Sequence, residues 1–130
     1  MPLLIIAGSV MLILSLVLAW VAVSVRYLRL PGISAVISSD EHLVKAHIDY
    51  LLMTLLLYAF ALLGITLPMP IQGCMVVGAF TNPLLFIVLA INPGISRAML
   101  TPLGIFATLS FSVTTLGFGG AAILVILAML

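Results

Sequence analysis

Residues 3–25, LLIIAGSVMLILSLVLAWVAVSV, form an apolar run without a charged side chain. At a rise of about 1.5 Å per residue, such a run crosses a hydrocarbon core of about 30 Å as a single helix. A cleaved signal peptide would have a basic start and a shorter apolar stretch, whereas here Met1 and Pro2 lead directly into the run. We therefore expect an uncleaved membrane-spanning helix.

Turn and cap signals divide the rest of the chain into three similar segments. The sequence from Ser38 to Glu41 is typical of a capping box, while Pro68-Met69-Pro70 and Asn92-Pro93-Gly94 are typical of helix ends and turns. The sequence predicts an all-α integral membrane protein with one domain, residues 1–130. Its fold is a four-transmembrane-helix bundle with helices at about 3–25, 39–67, 71–91 and 102–130.

The composition excludes several classes of protein. Hydrophobic residues make up 65% of the chain and charged residues 5%, and the mean hydropathy is +1.51, far above the range of soluble domains. Four basic and three acidic residues are too few for a nucleic-acid-binding surface. The single cysteine, Cys74, excludes a disulfide framework or a multi-thiolate metal site within one chain.

The basic residues predict the topology. Arg26, Arg29 and Lys45 flank the first connection, and Arg97 lies in the third. These two connections share one side of the membrane in an alternating path, and the positive-inside rule assigns that side to the cytoplasm. We therefore expect both termini on the non-cytoplasmic side, with the chain in a bacterial inner (plasma) membrane.

Several polar residues of the second helix need an explanation in lipid. Lys45 and Asp49 are four residues apart, so we expect them to neutralise each other near the boundary. Spacings of 3, 4 and 4 place four other polar residues on one narrow face, a polar stripe made of His47, Tyr50, Thr54 and Tyr58. For Tyr50, Thr54 and Tyr58, one interpretation is hydrogen bonding between helices, and the other is a functional site. His47 has three interpretations: a headgroup contact, a hydrogen-bonded residue of the bundle, or a metal ligand.

The third and fourth helices also carry polar and small residues. Thr81-Asn82-Pro83 predicts a kink in the third helix and an amide that needs a partner. The amide forms part of a cavity wall, or the kink is satisfied by Thr81 and neighbouring hydroxyls, the commoner outcome in membrane helices. Small residues of the fourth helix predict a packing or oligomer surface. They are Thr108, Ser112 and Thr115 on one face, with Gly117, Gly119 and Gly120 near its end.

Two segments carry a family resemblance. The strings KAHIDYLLM at 45–53 and GAFTNPLLF at 78–86 resemble the small four-span membrane isomerases typified by styrene oxide isomerase and hydroxylaminobenzene mutase. The resemblance implies a trimer in which His47 is the axial ligand of haem b held between subunits, with ferric iron as a Lewis acid. Met53 and Phe86 stand where the family usually has an Asn and a Tyr.

Two functional hypotheses follow from these observations. The first is a haem-b-dependent isomerase that rearranges a small apolar epoxide or N-aryl hydroxylamine, with Asn82 and Tyr50 orienting the substrate or stabilising the developing oxyanion. The second is a noncatalytic membrane subunit or scaffold of an oligomeric complex. A transporter ranks third because Asp49 is the only candidate for a charge at lipid depth. Expected partners are the lipid bilayer, a small apolar substrate and further copies in a homo-oligomer.

Overall fold

The computed structural model describes residues 2–96, 98 and 100–130, and within them it contains helices but no strand. The elements are α1 (Pro2–Val23) with a π-helical extension (Ser24–Leu28), α2 (Pro31–Val36), α3 (Asp40–Leu62), α4 (Met69–Ile91), α5 (Pro102–Thr114), a π-helical turn (Thr115–Gly119) and α6 (Gly120–Met129). Four helices are long and apolar enough to cross a membrane, as the sequence predicts: Pro2–Leu28, Asp40–Leu62, Met69–Ile91 and Pro102–Met129. We call the last of these the fourth span.

The second span is shorter than predicted at both ends. It begins after Ser39, whose side chain accepts from the His42 backbone N–H at 3.4 Å, so Ser39 and not Ser38 is the N-cap. It ends at Leu62 instead of residue 67 because Gly64 adopts a left-handed conformation with φ of 70°. The third span continues through Pro83 from Met69 to Ile91.

The spans alternate in direction, and their extensive contacts follow chain order: α1 with α3, α3 with α4, and α4 with the fourth span. The backbone N–H groups of Ser38 and Ser39 donate to the Ala90 carbonyl at 2.8 and 2.9 Å. The connections after α1 and after α4 therefore lie at one end of the bundle, which we call the loop end. The opposite end, with the start of α1 and the end of α6, is the terminal end. Arg97 of the topology argument lies outside the described residues.

The two ends have different cores. At the terminal end all four spans contribute to one buried cluster: Leu4, Ala7, Met11, Tyr50, Leu57, Leu67, Met75, Ala79 and Ala121. At the loop end a smaller cluster joins α1, α3 and α4 through Ala22, Leu43 and Ala90. Neither cluster includes a buried residue of α5, whose extensive contacts with the other spans are with α4.

Glycines hold the fourth span against α4. A Cβ added to Gly78 would lie 2.7 Å from the Thr114 Cα, and one added to Gly117 would lie 2.8 Å from the Met75 Cα. Both clashes are with backbone, so the two helices approach this closely only because these residues lack side chains. A Cβ added to Gly120 would lie 2.8 Å from the Ile71 Cδ1 of α4, whereas one added to Gly119 would meet open space. Gly117 and Gly120 are therefore packing residues inside the protomer.

Candidate functional site

His47 lies where α3 packs against α1, opposite Ser15. Its Nδ1 is 2.7 Å from the Ser15 carbonyl oxygen and 2.8 Å from the Ser15 Oγ. The Ser15 hydroxyl donates to the His47 carbonyl at 2.9 Å, so the two residues bind each other twice. Ser15 is fully buried, and His47 is half-buried.

These contacts determine which ring nitrogen of His47 carries the proton. A carbonyl oxygen only accepts, so Nδ1 is the donor, and in the neutral ring Nε2 carries the free lone pair. Nε2 has no hydrogen-bond partner among the described residues, and no buried side-chain nitrogen or oxygen there lacks one. Nε2 therefore lies at the protomer surface. Orientation by a backbone carbonyl is the arrangement that metal-ligating histidines commonly have.

The other members of the polar stripe make hydrogen bonds between helices. Thr54 donates to the Gly8 carbonyl at 3.1 Å, and the Tyr58 hydroxyl is 2.7 Å from the Ser9 Oγ. Tyr50 is 1% exposed, and its hydroxyl donates to the Phe80 carbonyl of α4 at 2.9 Å. Each of these three residues therefore makes a hydrogen bond between helices, which is one of the two interpretations that the sequence allowed. The catalytic candidate Tyr50 holds α3 to α4 and would contact a ligand only after breaking this bond.

The predicted Lys45–Asp49 pair does not form. The Lys45 Nζ is 3.3 Å from the Glu41 Oε1, one turn closer to the helix start, where both side chains are well exposed. Asp49 has no hydrogen bond or ion pair among the described residues, and its carboxylate is therefore also accessible at the surface. Glu41 is the better partner because its Lys45 pairing stays nearer the aqueous boundary, where charges are hydrated.

Asn82 lies at a different helix contact, between α4 and α5. Its Oδ1 accepts from the Ser110 hydroxyl at 3.0 Å, and the Ser110 Oγ is 2.6 Å from the Thr81 Oγ1. The side chain lines a groove along α4 and α5 together with Thr108 and Ser112. Within one protomer, His47 contacts Ser15 of α1 and Asn82 contacts Ser110 of α5.

The structure also locates the other candidate ligands. Met75 is fully buried in the main cluster and Met53 packs against it, so neither thioether is free to assist His47. Among the described residues no three His, Cys, Asp or Glu side chains group as a metal site. The residue that sequence reasoning missed is Ser15, one of three serines in the apolar run 3–25, and nothing in the sequence distinguishes it from the other two.

Three comparisons bear on the relationships of this chain. No family model, no curated protein and no solved structure matches it.

Proposed function

We propose that the chain is the protomer of a membrane-embedded, haem-b-dependent isomerase, in which His47 is the axial ligand. The observation that carries the proposal is the Nδ1 contact of His47 with the Ser15 carbonyl, which leaves Nε2 accessible. The resemblance of residues 45–53 and 78–86 to the four-span isomerases supports the same assignment. Both termini are on the non-cytoplasmic side of a bacterial inner membrane in this proposal.

The donor set fits haem better than it fits a bare metal ion. Haem iron already has its four equatorial nitrogens, so one protein imidazole is sufficient to hold it. Because Nε2 lies at the protomer surface, a second copy in a homo-oligomer supplies the other wall, as in the trimer that the resemblance implies. Haem supplies a Lewis acid that polarises a C–O or N–O bond of a small apolar epoxide or hydroxylamine.

The chain's own residues orient the His47 ring and the substrate, and they exclude water. The Ser15 carbonyl accepts from the His47 Nδ1–H and so fixes the plane of the ring, while the Ser15 hydroxyl donates to the His47 backbone carbonyl. The apolar outer surfaces of α1 and α3 keep water away and let an apolar substrate arrive through the bilayer. In this proposal Asn82 donates to the substrate oxygen, and Tyr50 acts as a positioning residue through the Phe80 carbonyl.

An absorption spectrum tests the proposal. The detergent-purified protein, reconstituted with haem b, should show a Soret band, and His47→Ala should lose it while keeping its helix content. His42→Ala is the matched control, because the His42 Nδ1 is 2.7 Å from the Ser39 Oγ at the helix cap, away from Ser15. A normal Soret band in His47→Ala, or none in the unaltered protein after haem addition, would refute it.

A noncatalytic scaffold subunit is the second candidate. Its supporting observation is the fourth span, where 11% of the residues in an apolar stretch of 18 are buried, compared with 28% to 33% in the corresponding stretches of the other three spans. A span so little covered by its own chain suits a helix that packs against another subunit. Failure of haem binding together with a stable hetero-oligomer purified from the native membrane would favour this function.

A further inference from the structure

The charged side chains of this protein are confined to two parts of the sequence. They are Arg26, Arg29, Asp40, Glu41, Lys45, Asp49 and Arg97. Two of the cations are neutralised within the chain, because Arg26 contacts Asp40 at 2.7 Å and Lys45 contacts Glu41 at 3.3 Å. Arg29 is exposed, and its guanidinium has no ion pair or hydrogen bond among the described residues. The loop end therefore carries an arginine whose charge the described part of the chain does not neutralise.

Arg29 has a backbone conformation that its side chain disfavours. Among the described residues other than glycine it alone has a positive φ, 51°, and it ends the π-helical extension of α1. The chain leaves the helix here because Pro31 keeps the preceding Leu30 out of the helical region. The backbone N–H groups of Arg29 and Leu30 both donate to the Ser24 carbonyl. Glycine or asparagine usually occupies such a position, so the turn does not require the guanidinium.

The surface around Arg29 is typical of a membrane–water interface. Trp20 and Tyr27, seven residues apart on the first span, are 70% and 72% exposed. The short helix α2, which follows Arg29, has no buried residue and no charge. Leu30 and Val36, on either side of this helix and at its end, expose apolar side chains. Aromatic rings, an arginine and exposed apolar residues together are typical of the depth at which lipid headgroups meet acyl chains.

We propose that Arg29 binds the phosphate of an anionic phospholipid whose acyl chains lie along the outer surface of the first span. A guanidinium donates two parallel N–H groups to phosphate oxygens, which makes this pairing geometrically specific. Once the two ion pairs are counted, Arg29 leaves a positive charge that an anionic lipid neutralises and a zwitterionic lipid does not. A second copy of the chain would bring the same arginine, with Asp40 and Glu41 already paired. The site involves neither His47 nor haem.

The fluorescence of Trp20 tests the proposal, because it is the single tryptophan of the chain and lies on the first span. Protein in nanodiscs of phosphatidylglycerol and phosphatidylcholine is measured with one lipid or the other brominated on its acyl chains, since bromine quenches indole on contact. We expect about fivefold preference for phosphatidylglycerol beside Trp20, the equivalent of about 1 kcal/mol for one arginine at an anionic surface. Arg29→Gly should remove this preference. Glycine suits the left-handed φ, so this variant keeps the turn.

Lys45→Gln is the matched control. It removes a positive charge from the same end, but from a side chain that Glu41 already pairs, so the lipid preference should remain. Equal quenching by the two lipids in the unaltered protein would overturn the proposal. An equal loss of preference in Arg29→Gly and Lys45→Gln would also overturn it, because the attraction would then belong to the loop end as a whole.

A free phosphate ester is the other source of the same chemistry. Glycerol phosphate added to the nanodiscs should reduce the preference no more than sodium chloride at the same ionic strength. If glycerol phosphate alone abolishes the preference, Arg29 binds a soluble ester and the lipid assignment is wrong. Both leaflets of the nanodisc have the same composition, so the result does not depend on the topology of the chain. His47→Ala should give the same lipid preference as the unaltered protein, which keeps this test independent of haem binding.

Discussion

The two ends of this bundle are built from the same four spans but pack differently. At the terminal end residues from α1, α3, α4 and α6 share one buried cluster, and Gly117 brings the fourth span against the Met75 backbone. At the loop end α1, α3 and α4 form their own cluster, and α5 lies beside α4 with a groove between them. The difference teaches that apolar spans alone do not fill a bundle: small residues at particular positions decide where helices close.

The largest expected difference between the two ends is the side of the membrane from which each can be labelled. In a Cys74→Ala background, a cysteine at Ser34 should react with an impermeant maleimide only from the cytoplasm, and one at Met69 only from outside, because the cationic connections stay inside. Both positions are exposed in the protomer. Reaction of each cysteine from the opposite side would reverse the topology.

The close packing of helices at the terminal end depends on glycine. We expect Gly117→Leu to lower the free energy of unfolding more than any single substitution at the loop end. Its side chain would meet α4 backbone, with the Cβ alone 2.8 Å from the Met75 Cα, and backbone cannot move aside without separating the helices. We expect a loss of about 1–3 kcal/mol or more, measured as the unfolding midpoint in mixed micelles with increasing SDS. Gly119→Leu, in open space, is the control and should change little. Equal losses in both variants would contradict the close approach.

A matched pair of leucines compares the packing of the two ends. Leu57 is fully buried in the main cluster, whereas Leu103 borders the α4–α5 groove. Leu57→Ala should cost about 1–2 kcal/mol, less than in a soluble core because lipid is as apolar as the interior and only contacts and cavity are lost. Leu103→Ala should cost less than half of this, since a cavity is already present. A larger loss at Leu103 than at Leu57 would show that the loop end is the better packed.

Hydrogen bonds between α1 and α3 should matter less than packing. Tyr58→Phe removes the 2.7 Å contact with Ser9 and keeps the ring, so we expect a loss of about 0.6 kcal/mol, the average for such bonds in membrane proteins. Tyr58 also packs beside Gly8, where an added Cβ would lie 2.8 Å from its ring. Gly8→Ala should therefore cost more than Tyr58→Phe in the same unfolding assay. The reverse order would mean that the hydroxyl, and not the close approach, holds α1 to α3.

The sequence predicts the four spans and the polar stripe because both depend on local composition and on a period of about 3.6 residues. The sequence does not predict which residues these side chains contact in the folded chain. Lys45 has carboxylates four residues away on either side, and its Nζ pairs with Glu41 and not with Asp49. Gly120, expected on an oligomer surface, faces Ile71 because the π-helical turn at Thr115–Gly119 changes the register of the fourth span. The groove beside Asn82 depends on how α5 lies relative to α4, which no pattern in the sequence predicts.

The smallest effect is expected on the outer face of the fourth span. Ser112 and Thr115 are exposed, and each donates to the carbonyl four residues earlier at 2.8 Å, so neither hydroxyl joins two helices of the protomer. Ser112→Ala and Thr115→Ala should therefore shift the free energy of unfolding of the protomer by no more than about 0.5 kcal/mol.

Native mass spectrometry of the same variants distinguishes an effect on the protomer from an effect on its assembly. If the fourth span forms the subunit contact of the proposed homo-oligomer through tight packing, removing small hydroxyls should leave the oligomer intact, because alanine is as small as serine. A fall in the oligomer fraction with an unchanged protomer would instead mean that these hydroxyls bind across the subunit boundary.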